Sequence, residues 1–168
     1  MLKKLFPTEY LDSVFLIDYH KLWENNIRGL IFDIDNTLVP FDIEAPPKEI
    51  NELFEKLKAI GFKICLVSNN SNKRVSLFNK NLSFPAVSRA LKPRLKGINQ
   101  ALSFIQTDAS NTVLIGDQIF TDVWGANRKK IHVILVKPIA TRDEFTVKLK
   151  RKIEKFIIKK YFKFKEME

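Results

Sequence analysis

The chain of 168 residues holds a single cysteine, Cys65, and only two histidines, His20 and His132. One thiol excludes an internal disulfide, and its place in the apolar run 62–67 points to core packing in a reducing compartment. So few Cys and His side chains also exclude a Cys/His zinc centre assembled within one chain. No apolar run approaches the roughly 20 residues that a membrane-spanning helix requires, and the first residues lack the apolar core of a signal peptide. These absences predict a soluble, cytoplasmic protein. Nor is there an internal repeat or a linker-like stretch, so one domain is expected over 1–168.

Hydrophobic residues make up 45% of the sequence, which excludes low-complexity disorder and supplies a core that stands without disulfides or structural metal. The formal net charge is +10, which favours anionic partners: nucleic acid, phospholipid headgroups or phosphorylated metabolites. The sum alone does not choose among them.

From Arg28 onward, apolar runs alternate with helical patterns in the order of a parallel sheet flanked by helices, an α/β, three-layer, Rossmann-like arrangement. Five strands are expected, over 29–34, 62–68, a short one at 86–88, 112–116 and 133–136. Pro46-Pro47 opens a helix in which Ile50, Leu53, Phe54 and Leu57 recur at helical spacing, and Gly61 closes it. Further helices are expected over 72–80 and 94–106, with another beginning after Asp122. Residues 1–26 carry Phe6, Leu11, Val14, Phe15, Leu16, Leu22 and Trp23, too much apolar surface to leave in water, and should pack on the sheet.

Asp33-Ile34-Asp35-Asn36-Thr37 follows the apolar run 29–32 directly. Carboxylates at the mouth of a buried strand are costly unless they bind a cation or do chemistry. Residues two apart on a strand share a side, so Asp33 and Asp35 face one small site if the extended conformation persists to the strand end. An isolated Asp-x-Asp also serves as a loop or cap element. Its company changes the reading. In an open parallel sheet, groups at the carboxyl ends of the strands converge on a crevice, and there the chain places Ser68-Asn69-Asn70, Gly116-Asp117 and Thr121-Asp122, with Lys92-Pro93 just ahead of a helix. Carboxylates, a hydroxyl, an ammonium and a glycine turn at one edge suit a phosphate and a hard divalent cation such as Mg²⁺.

With these motifs the chain resembles the haloacid-dehalogenase (HAD) superfamily of phosphotransferases, in Asp33 to Thr37, Ser68, Lys92, and Gly116-Asp117 with Asp122. Asp-Asn-Thr-Leu-Val at 35–39, Ser-Asn-Asn at 68–70 and the stretch 116–128 are similar to the YqeG family of small phosphatases, itself similar to phosphatidylglycerophosphate phosphatases. The resemblance implies Asp33 as a nucleophile that forms an aspartyl-phosphate, and Asp35 as general acid and then general base. It implies Mg²⁺ held by Asp33, the Asp35 backbone carbonyl and Asp117, with Asp122 as a further ligand or orienting a metal-bound water. Ser68 and the backbone at Asn69 would bind phosphoryl oxygens, with Lys92 compensating their charge. Structural alternatives stand beside these roles: Ser68 and Asn69 as caps of the following helix, Lys92 as a surface lysine, and Thr37 as a brace of the nucleophile loop. Asn127 and Arg128 match the family without a derivable role; Arg128 would pair with an acidic loop residue or an anionic substrate.

Only about thirty residues separate Thr37 from Ser68, one helix with its loops, and 70–92 is equally short. No cap domain fits, so the crevice should be open to bulky substrates: lipids at a membrane surface, proteins or nucleic-acid ends. Over 145–168, Leu149, Ile153, Phe156, Ile157 and Phe164 fall near one helical stripe crowded by Lys148, Lys150, Arg151, Lys152, Lys155, Lys159, Lys160, Lys163 and Lys165. Such a basic amphipathic helix lies on an anionic membrane, here the inner membrane face, or packs its stripe on the domain. The leading expectation is a Mg²⁺-dependent phosphomonoesterase acting on phosphatidylglycerophosphate or another phosphorylated small molecule or lipid. The rival is a non-catalytic protein of the same fold that binds RNA or the ribosome through its basic surface.

Overall fold

The computed structural model describes the backbone over residues 2–140 and 145–167, with side chains over 2–140 and 152–167. Six parallel strands form one sheet in the order β1-β6-β5-β2-β3-β4. They are Glu9–Leu11 (β1), Gly29–Phe32 (β2), Lys63–Val67 (β3), Ala86–Val87 (β4), Thr112–Gly116 (β5) and His132–Val136 (β6). The helices are Tyr19–Glu24 (α1), Lys48–Ile60 (α2), Asn72–Asn79 (α3), Leu95–Ile105 (α4), Trp124–Lys129 (α5) and Phe145–Lys165 (α6). β2 is central, in register with β3 (Phe32 opposite Leu66) and with β5 (Phe32 opposite Ile115).

The sheet has one strand more than the five expected. Three residues of the N-terminal segment pair with β6, Glu9 opposite Ile134 and Leu11 opposite Val136. Glu-Tyr-Leu is too short to show a period of two. What makes it a strand is an edge offered by residues more than a hundred positions away.

Side chains alternate across the sheet, so each strand feeds two cores. On one face Leu30, Phe32, Ile64, Leu66 and Ile115 meet α2 through Ile50, Phe54 and Leu57, α3 through Val75 and Phe78, and the N-terminal segment through Val14, Ile17, Tyr19 and Leu22. On the other, Ile31, Cys65, Leu114, Val133 and Leu135 meet α4, α5 and α6 through Ile98, Ala101, Ala126 and Ile157. The apolar repeat of α2 thus faces the sheet. Phe54 stands edge-on to Phe32 with ring centroids 5.5 Å apart. α2 ends where Gly61 adopts φ +112°, a conformation that L side chains rarely take.

The connections between these strands are short. α2 occupies the path from β2 to β3, and α3 the path from β3 to β4, so among the described residues no further domain is inserted there. α6 buries Ile157 and Tyr161 against the N-terminal segment, where Tyr161 meets Phe6 edge-on. Ile153 and Phe156 on the same helix stay exposed, 47% and 54%, among lysines. Of the stripe expected there, the side chain of Leu149 and those of Lys148, Lys150 and Arg151 lie outside the described residues. No helix among the described residues is long and apolar enough to cross a membrane.

Candidate active site

Asp33 leaves the end of β2 with its N–H still donating to Ile115 O at 2.9 Å, so the central sheet sets its position. Asp117 follows β5 directly, and Asp122 lies in a π-helical turn, Ile119–Val123, that runs into α5. The sequence places a helix only after Asp122. The wider π turn instead folds the Asp122 carboxylate back, so that Oδ2 accepts from Gln118 N–H at 3.1 Å. Gly116 makes room for it, since a Cβ there would land on the Asp122 carboxyl group. Oxygens of Asp33, Asp117 and Asp122 all lie within 4.8 Å of one another, and all three residues are buried.

One cation faces this group closely. Lys92 Nζ stands 2.7 Å from Asp33 Oδ1, 2.7 Å from Asp122 Oδ1 and 2.9 Å from Val67 O, with its side chain 3% exposed. It is a buried ion-pair partner, not an ordinary surface lysine. Burial alone would lower the pKa of its ammonium, but Asp122 and Asp33 more than offset that and hold it above the usual lysine range. The carboxylates fare differently, because they share that one ammonium. Burial pushes Asp33 up to about 6 despite Lys92, with Asp122 adding to the rise. Burial also raises Asp117 well above the carboxylate range, with Asp33 and Asp122 repelling its charge. A dry cluster of oxygens with more negative charge than its counter-ion answers fits a hard divalent cation, which takes oxygen ligands and would relieve the repulsion.

The remaining predicted residues divide between the cluster and its supports. Thr37 donates its hydroxyl to Asp117 Oδ1 at 3.1 Å, bracing a carboxylate of the cluster. The Asn69 side chain clasps the Lys92 backbone, accepting from the Lys92 N–H at 2.7 Å and donating to its carbonyl at 3.1 Å, which leaves the part expected of the Asn69 backbone at a phosphate untouched. Ser68 Oγ accepts from Asn70 N–H at 3.1 Å at the end of β3. The cap of α3 is Ser71, which accepts from Arg74 N–H at 3.3 Å, so neither Ser68 nor Asn69 has that duty. Asn127 ties the N-terminal segment down by donating to Lys4 O and Phe6 O, and Arg128 donates to Pro93 O next to Lys92.

Asp35 departs from the expectation that both aspartates of the motif face one site. The strand ends at Phe32, and Asn36 turns the chain at φ +64°, which asparagine tolerates better than most residues. The Asp35 carboxylate therefore points toward α3, where Oδ2 accepts from Asn70 Nδ2 at 2.9 Å and Oδ1 from Arg74 Nε at 3.0 Å. Arg74 is absent from the sequence reading. Its one local signal is a cation in the first turn of a helix, where the helix dipole disfavours it.

The model of the family described as mitochondrial PGP phosphatase matches residues 10–140. The chain is 42% identical to the Bacillus subtilis (strain 168) protein named "Probable phosphatase YqeG", over 94% of this chain and 92% of that protein. It is 28% identical to phosphatidylglycerophosphate phosphatase 1, chloroplastic, of Chlamydomonas reinhardtii, over 88% of this chain and 59% of that longer protein. In fold it is similar to the cobalt-bound deoxy-D-mannose-octulosonate 8-phosphate phosphatase (YrbI) of Haemophilus influenzae, with a TM-score of 0.53 at 13% identity over 84% of this chain and 91% of that one. The family match spans the strand ends that deliver Asp33, Ser68, Lys92, Asp117 and Asp122, and on it the chain belongs to the PGP phosphatase family and is a phosphatase.

Proposed function

We propose that the protein is a Mg²⁺-dependent phosphomonoesterase that works through an aspartyl-phosphate on Asp33, with phosphatidylglycerophosphate as its leading substrate. The observation that carries this reading is the buried cluster of Asp33, Asp117 and Asp122 around Lys92 at the carboxyl ends of β2 and β5. Lys92 engages Oδ1 of Asp33 and thereby orients the carboxylate. An Asp33 oxygen attacks phosphorus as the bond from phosphorus to the alcohol oxygen breaks, and Asp35 gives its proton to that departing oxygen. Asp35 then takes a proton from water, whose oxygen attacks phosphorus. The bond to Asp33 breaks and inorganic phosphate leaves.

Ser68 and Lys92 act on the transferred group by hydrogen bonding and charge. Asp33, Asp117, Asp122 and the Asp35 backbone carbonyl would hold Mg²⁺, which when bound neutralises charge between the carboxylates and the phosphate. The exposed Ile153 and Phe156 among the lysines of α6 favour contact with an anionic membrane, where a lipid phosphate is met.

The test is turnover of p-nitrophenyl phosphate and of phosphatidylglycerophosphate in vesicles, each with Mg²⁺ and with chelator. Turnover of both should require Mg²⁺ and fall by on the order of 10³-fold or more in Asp33→Asn. Undiminished turnover in that variant overturns the nucleophile assignment. No turnover of any ester, with salt-sensitive RNA binding that survives Asp33→Asn, would place the protein among binding modules instead.

A further inference from the structure

The carboxylate assigned to proton transfer is turned away from the cluster it would serve. Two donors of Arg74, Nε and Nη2, each lie 3.0 Å from the single oxygen Oδ1 of Asp35, while Asn70 holds Oδ2. The guanidinium also donates through Nη1 to Glu44 O at 3.2 Å, linking α3 to the loop ahead of α2. Its side chain is 11% exposed and that of Asp35 17%, so the pair is more strongly coupled than one in open water. Helix stabilisation does not account for Arg74, because a cation in the first turn opposes the helix dipole and Ser71 already supplies the cap.

For Asp35 to reach a leaving oxygen it must swing free of Arg74. A buried guanidinium left without an anion would then oppose the movement. An incoming anion removes that obstacle. A phosphate group also suits Arg74 better than its present partner, since only Nε hydrogen-bonds Oδ1 while the buried Nη2, though 3.0 Å from the same oxygen, has no hydrogen-bond partner and could meet an oxygen of its own.

We propose that Arg74 receives a second anionic group carried by the alcohol portion of the substrate, and that its transfer from Asp35 to this group frees the Asp35 carboxylate to take up a proton from water and deliver it to the leaving oxygen. In the leading substrate named above that group is the phosphodiester, a few bonds from the ester oxygen, so what is assigned here is the residue that receives it and the effect on Asp35. The inference rests on the reading of Asp35 as proton carrier given above. Binding energy from a remote group is used here to free a catalytic one, so a substrate lacking that group loses kcat as well as affinity.

Steady-state turnover on the full chain with Mg²⁺ tests this, using glycerol 3-phosphate and the same compound with a methyl phosphodiester on its other primary carbon. Both are soluble, so membrane contact does not enter. The wild type should favour the doubly charged ester by about tenfold or more in kcat/KM, with part of the gain in kcat. In Arg74→Gln that ratio should fall by about tenfold, and Arg74→Lys, which keeps the charge without the fork, should retain an intermediate value.

No preference in the wild type overturns the proposal, and that arm requires no variant to fold. An unchanged ratio in Arg74→Gln, with both esters slowed alike, also overturns it and leaves Arg74 as an anchor of Asp35 alone. Turnover of p-nitrophenyl phosphate without a preference between the glycerol esters sinks this inference while the phosphatase reading stands. Failure to hydrolyse any of the three sinks both.

Discussion

On the floor of the crevice one ammonium, Lys92, stands between Asp33 and Asp122 with Asp117 alongside, whereas at the rim one guanidinium, Arg74, answers one carboxylate, Asp35. The floor is nearly dry and short of positive charge. The rim is partly wetted and locally balanced. The two kinds of site are therefore disturbed by opposite ligands: a cation relieves the floor, and an anion unsettles the rim by drawing Arg74 away. On the proposal above, a phosphomonoester whose alcohol carries a second anion, arriving with a divalent cation, would supply both, and until then the two aspartates, two positions apart, stand in different environments.

The comparison is broken most severely by removing the floor's cation. Lys92→Met leaves Asp33 and Asp122 buried without their shared partner and should cost about 3–5 kcal/mol in chemical denaturation of the metal-free protein. Mg²⁺ should recover much of that loss. A smaller change moves one carboxylate without altering charge: in Gly116→Ala the new Cβ meets Asp122, which must shift. Turnover is expected to fall by about a hundredfold for a cost of only about 1–3 kcal/mol in stability. Equal, small losses in both measurements would mean that the floor tolerates displacement.

The mildest test leaves the sequence intact. Asp33 titrates near 6 in the fold against 3.8 as its ordinary value, so between those pH values the folded state binds more protons than the unfolded one. Its contribution to stability is therefore fully present below about 3.8 and lost as pH rises through about 6. Without metal, the part of the unfolding free energy governed by the floor should decline from pH 5 to pH 7.5 by about 1–3 kcal/mol, read as a falling melting temperature. Asp33→Asn should flatten that decline, and Mg²⁺ should abolish it. A melting temperature that rises over this interval in chelator and is unaffected by Asp33→Asn would refute the picture of a charge-crowded floor.

What the sequence reveals about these regions follows the range of the forces that make them. The central strands and α2 are set by apolar periodicity and by Pro47 and Gly61 at the helix ends, all local signals, so their places are legible to within a residue or two. Asp33, Lys92, Asp117 and Asp122 are legible because strand ends of a parallel sheet converge by topology. The aim of Asp35 is not, since it depends on where β2 stops and on Arg74, 39 positions away. Likewise the Asn69 side chain has the residue type of a helix cap, and only the return of the chain at Lys92 makes it a clasp instead. The edge strand β1 is hidden for the same reason: its ladder is entirely long-range.

That edge strand has a consequence for the order of assembly. Thr8 and Val133 exchange hydrogen bonds, the Thr8 N–H donating to Val133 O at 2.9 Å and the Val133 N–H to Thr8 Oγ1 at 3.1 Å. A chain that emerges from the ribosome N-terminus first makes β1 long before β6, and closing so long a loop gains nothing until the partner strand exists. β2, β3 and α2 can pack in the meantime through contacts of much shorter separation. β1 therefore precedes every other strand of this sheet along the chain and yet can pair only once β6 exists.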